Sequence, residues 1–157
     1  MLFRSSRNQP NMTYHGFAPQ ETLREHLLNA HILAYPCCWK ETSCRVLMES
    51  MSAGLLCVHP NLAALPDTAG GVTFMYQAEY DADKHANVFY RYLEKAVDEV
   101  NRDEVQTYLK FVKSYADLRF NLKKISNQWE TLLRDLKEQY PTVESRKIPS
   151  EMFTYKV

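Results

Sequence analysis

A helical pattern that stops at Gly54 and runs directly into the apolar stretch Leu55 to Val58 constrains this chain most. A short unbroken apolar run bounded by turn residues suits a strand buried on both faces, the position of a central parallel strand. Parallel neighbours need a crossover between them, so further strands are expected on either side of helices. Upstream, Ile32 to Tyr35 is such a run, stopped by Pro36. Between the two, Thr42 or Ser43 can cap a helix whose buried side is Val46, Leu47, Met48 and Met51. Downstream, Pro60 to Thr68 reads as a loop with a helical turn, Gly70-Gly71 as a turn, and Val72 to Tyr76 as another strand. At the start, Met12 to His15 reads as a short strand closed by Gly16. Pro19 then opens a helix carrying Leu23, Leu27 and Leu28. The predicted class is α/β: a mostly parallel sheet of about four strands with helices on both faces.

After Tyr76 the period becomes helical for good. Val88, Phe89, Tyr92, Leu93, Ala96, Val97 and Val100 mark a first helix from about Asp83. Val105, Tyr108, Leu109, Val112, Tyr115 and Ala116 mark a second, and Leu122, Ile125, Trp129, Leu132, Leu133 and Leu136 a third, which Pro141 stops. Residues 1–11 read as a disordered leader, 12–140 as one domain and 141–157 as a polar tail.

Composition removes several function classes. The chain of 157 residues has 19 basic and 19 acidic side chains, so no basic excess points to nucleic acid. No apolar run is long enough for a transmembrane helix, and the first residues lack the apolar core of a signal peptide. A cytoplasmic location is therefore expected. Cys37, Cys38, Cys44 and Cys57 lack the spaced pairs of a structural zinc site, and they read as reduced thiols with no metal.

In a parallel sheet, ligands meet the carboxyl ends of the strands. The densest candidate there is the loop Pro36 to Cys44, which leads into the helix of Arg45 to Ala53. Free N–H groups at a helix start suit a phosphate, with Thr42, Ser43 and Cys44 as donors; side-chain capping by Thr42 or Ser43 is an equal alternative. Glu49 lies near the buried side of this helix. It could accept hydroxyls from a ribose diol, or it could pair with Lys40 or Arg45. Glu41 sits in the loop itself, where a carboxylate would repel a phosphate and suits a sugar hydroxyl better.

The segment Tyr35-Pro36-Cys37, then Glu41, then Glu49-Ser50-Met51-Ser52-Ala53-Gly54, then Leu55 to Val58 and Leu65-Pro66-Asp67 resembles a known pattern. It is similar to the C-terminal, nucleotide-sugar-binding domain of retaining glycosyltransferases with two Rossmann-like domains (GT-B type, family 4-like, group 1). Their pattern is an apolar strand, Pro-Ser, two glutamates at the spacing of Glu41 and Glu49, Ala-Met-Ala-x-Gly and a further apolar strand. The likeness covers Met12 to Leu136, with His15-Gly16 before a helix and Phe120-Asn121-Leu122 before the last helix also fitting. Here Cys37 stands for the family's Ser, Ser43-Cys44 for Phe-Gly, Ser50 for Ala and Asp67 for Glu.

The resemblance implies a partial Rossmann-like domain that binds a nucleotide-sugar donor of UDP, GDP or ADP type and transfers the sugar with retention, without a cofactor or required metal. Glu41 would be the catalytic-site glutamate at the sugar end, and Glu49 would hold the ribose. The backbone of Thr42, Ser43 and Cys44 would lie by the diphosphate, and Gly16 and Phe17 by the base. The family also has an upstream basic pair and an N-terminal acceptor domain, so the isolated chain is expected to be inactive. The alternative is a non-catalytic nucleotide-binding or self-associating module, and a homo-oligomer is a possible partner state.

Overall fold

The computed structural model describes residues 9–140. The chain divides into two compact units, Met1–Arg119 and Phe120–Val157. The first holds a parallel sheet of β1 (Ile32–Ala34), β2 (Leu56–Pro60) and β3 (Phe74–Tyr76), in the order β1-β2-β3. Its helices are α1 (Gln20–Asn29), α2 (Arg45–Ala53), α3 (Leu65–Ala69), α4 (Ala82–Glu99) and α5 (Asp103–Arg119). The second unit contributes α6 (Leu122–Gln139).

All five residues of β2 are buried, as its apolar run and central position require. Side chains alternate between the faces of a strand. On one face Leu56 and Val58 pack with Tyr76, Ala96, Val100 and Leu109, bordered by Ile32, Phe74, Val88, Phe89 and Val105. Helix α4 covers this face and touches all three strands. Cys57 and His59 alternate to the other side, and there α2 packs against β2, with α5 against α2. Leu47 and Met51, with Ser50 between them, are the fully buried side chains of α2.

The helix starts follow local chemistry. Asp81 caps α4 by accepting from the Lys84 N–H at 2.9 Å, and Asn121 caps α6 through Lys124 at 2.9 Å. Helix α2 ends at Gly54, whose left-handed backbone (φ 85°) few other residues adopt readily.

The structure corrects two expectations. Met12 to His15 joins no ladder, so the described residues form a sheet of three strands rather than about four. Met12 and Tyr14 stay exposed, and a short segment that buries no face gains too little from pairing to become a strand. Helix α2 begins later than expected: its N-cap is Cys44, not Thr42 or Ser43, and no side chain caps it. Burial of the Cys44 side chain at the core margin fixes the start there, while Thr42 and Ser43 remain exposed.

Candidate functional site at the carboxyl ends of the strands

Tyr35 follows β1 directly and continues its ladder, donating its N–H to Val58 O at 2.9 Å. The chain then folds back on itself. Cys37 N–H reaches Tyr35 O at 2.9 Å, and Glu41 N–H reaches Trp39 O at 3.1 Å. The turn is stitched to the loop after β2 by Ala64 N–H donating to Glu41 O at 3.2 Å. This folding returns Glu41 to the end of β1, where the Tyr35 hydroxyl donates to its Oε1. The Cys37 thiol is a second donor to the same oxygen, at 3.5 Å.

Electrostatics follow from these contacts. Burial acts to raise the Glu41 pKa, but hydrogen bonds from Tyr35, Cys44 and Cys37 outweigh it and hold the carboxyl below its ordinary value. Tyr35 moves the opposite way: burial, then the bond to Glu41, push its phenol far above the usual tyrosine value. Burial, reinforced by the neighbouring carboxylate, pushes the Cys44 thiol up to about 11. The cluster is therefore one carboxylate, ionised at neutral pH and oriented by neutral donors.

The same edge carries a second polar group. Asn61 clamps the ends of β2 and β3, with its N–H on Tyr76 O at 2.8 Å and its side chain bonded to Gln77 and to Ala78 N–H. Tyr76 Oη lies 3.0 Å from Nε2 of His85, a buried residue on α4. The other ring nitrogen of His85 has no partner.

The expected site residues fall into three groups. Glu41 and Cys44 belong to the Tyr35 cluster, with Thr42 and Ser43 exposed between them at the mouth of α2. Glu49 is held apart from that cluster, on α2, by Arg45 at 3.0 Å and by Gln20 of α1 at 3.1 Å. The pairing with Arg45 is the alternative that helical spacing allows, and the carboxylate is engaged rather than free. Both contacts fall on Oε1. Gly16 and Phe17 lie in the turn ahead of α1, with Phe17 fully exposed. Among the described residues no hydrogen bond or ion pair joins them to Glu41 or Glu49.

Sequence reasoning passed over Tyr35 as a functional group. Its signal was available: a half-buried tyrosine at the end of an apolar strand seeks a partner for its hydroxyl, and Glu41 is the nearest acidic residue along the chain. Among the described residues no group of His, Cys, Asp or Glu could hold a metal ion. No helix among the described residues is long and apolar enough to cross a membrane.

The fold and the strand-end cluster define a class, a small parallel α/β unit with an oriented carboxylate at the carboxyl edge of its sheet. Comparison with family models, curated proteins and solved structures finds no match to the chain.

Proposed function

We propose that the chain is the donor-binding part of a retaining glycosyltransferase and takes a nucleotide sugar of UDP, GDP or ADP type. The observation that carries this reading is the position of Glu41, ionised and oriented at the end of β1, beside the mouth of a helix that no side chain caps. A carboxylate accepts sugar hydroxyls, and N–H groups at a helix start favour the adjoining diphosphate. Support also comes from Glu49. With Arg45 and Gln20 both on Oε1, its second oxygen is left to accept from a ribose diol. The acceptor would come from a second domain, so the chain alone binds donor without turning it over.

The test is an NMR titration with UDP, GDP and ADP on the wild type and on Glu49→Gln, with a thermal melt of each. A charge-assisted bond to a hydroxyl contributes about 1.5–3 kcal/mol, so Glu49→Gln should weaken nucleotide binding by roughly tenfold to a hundredfold. A lowered melting point with unchanged ligand-induced shifts would reduce Glu49 to a helix-surface ion pair.

A second reading, self-association, rests on α6. Its Leu122, Trp129, Leu132 and Leu136 are exposed, and with Ile125 they recur at the alternating three- and four-residue steps of a coiled-coil seam, with exposed Leu133 beside it. The occupant we propose is α6 of a second copy. Light scattering should then show a mass above 18.4 kDa that returns to it in Leu132→Glu; a constant 18.4 kDa at every concentration removes this reading.

A further inference from the structure

We infer that Tyr35 is the positioning residue of the donor site: its sheet-anchored hydroxyl orients Glu41 to discriminate a nucleotide sugar from the bare nucleotide. This inference rests on the donor-binding reading and goes beyond it by assigning specificity to a residue to which the resemblance gives no role.

Three observations carry it. The Tyr35 backbone is part of the sheet, through its N–H on Val58 O at 2.9 Å, so its hydroxyl has a fixed origin. That hydroxyl donates to Oε1 of Glu41, and the Cys37 thiol, shared with Trp39 O at 3.4 Å, lies 3.5 Å from the same oxygen, so the carboxylate is held on its Oε1 side. The side chains that hydrogen-bond the carboxylate are neutral: Tyr35 from the end of β1, Cys37 from the loop and Cys44 from the start of α2. The contrast is with Glu49, whose charge is shared with Arg45. A carboxylate oriented by neutral donors keeps its charge for the incoming molecule, and a vicinal diol supplies the matching donors. A nucleoside diphosphate whose ribose diol is held at Glu49 has no second diol to place there.

The decisive variant is Tyr35→Phe, which keeps the ring and removes the donor. Two readouts separate positioning from plain structural support. In the first, without ligand, the Glu41 carboxyl carbon is followed by NMR through acid titration; its midpoint should rise toward that of an ordinary glutamate. In the second, affinities for UDP, GDP and ADP are compared with those for their glucose conjugates. The wild type should prefer one conjugate, and Tyr35→Phe should lose that preference by about tenfold while binding of the bare nucleotide is unchanged. Cys37→Ala, which removes the second donor, should shift both readouts in the same direction by less, and it serves if Tyr35→Phe fails to fold. An unmoved Glu41 midpoint, or an unchanged preference with binding intact, overturns the role of Tyr35 and leaves the donor-binding reading standing. Wild-type protein that binds no nucleotide and no conjugate overturns both.

Discussion

His59 shows how much a single residue carries here. It is fully buried on β2, with Nδ1 3.0 Å from Pro60 O and Nε2 2.7 Å from Thr73 Oγ1. A carbonyl only accepts, so Nδ1 holds the proton and Nε2 accepts from threonine. Burial lowers the pKa of this ring, and the Pro60 carbonyl offsets that only in part. A base depressed in the folded state contributes stability that is complete above its unfolded pKa and lost as pH falls toward the folded one. Below about pH 6.5, stability should thus fall by up to about 1.4 kcal/mol per pH unit. Urea midpoints measured from pH 8 to pH 5 check this, and His59→Gln should flatten the slope; an equal slope in that variant would assign it elsewhere. The cysteines divide just as clearly. Cys44 and Cys57 are buried, with thiols pushed up to about 11 and about 12, chiefly by burial. Cys38 is exposed and Cys37 partly so. A chromogenic disulfide reagent should therefore modify Cys37 and Cys38 in the native protein, and Cys44 and Cys57 only after denaturant.

Among the elements, the turn from α3 to β3 is the most tightly determined. Gly70 ends α3 in the left-handed region (φ 61°), and a Cβ built there would overlap the Tyr115 hydroxyl, which accepts from Arg119 at 2.7 Å. Gly54 has a similar backbone, but nothing lies near its missing side chain. The left-handed backbone alone costs an added side chain about 1–2 kcal/mol. Gly70→Ala should therefore lower the melting point by about 5 °C, and by more than Gly54→Ala, whose neighbours need not move. Equal losses in the two variants would mean that Tyr115 yields freely. The helices and the three downstream strands were legible because their periods are long or bounded by glycine and proline: Gly54, Gly70-Gly71 and Pro36 all mark real ends. The strand at Met12 was not legible as coil, since a short mixed segment carries the same local pattern whether or not a partner takes it up. Nor was the cap of α2. Thr42 and Ser43 have the better capping chemistry, but burial of Cys44 sets the start. The glutamate pair was found by spacing, and helical spacing also offered Arg45 to Glu49; that Glu41 answers to Tyr35, and Glu49 to Gln20 as well, depends on how the loop and α1 return to α2.

For the whole molecule, the buried apolar residues among those described all precede Arg119, ending with Ala116, and α6 contributes none. A chain ended after Arg119 should keep the cooperative melt of the full chain; a broad transition or a loss of several degrees would show that the second unit is needed to hold the first. The sheet itself is connected in a way that bears on how the protein comes to be made. Ile32 meets Leu56 and Val58 meets Phe74, each with a helix in between, and no pair of strands is joined by a hairpin. Ladder contacts of this kind close long loops before they return any stability, which slows folding. On a ribosome, β1 finds its neighbour only after α2 and β2 have emerged, and the Tyr35 ladder bond to Val58 waits for the same moment. The oriented carboxylate is thus completed only once the central strand that anchors it has emerged and paired.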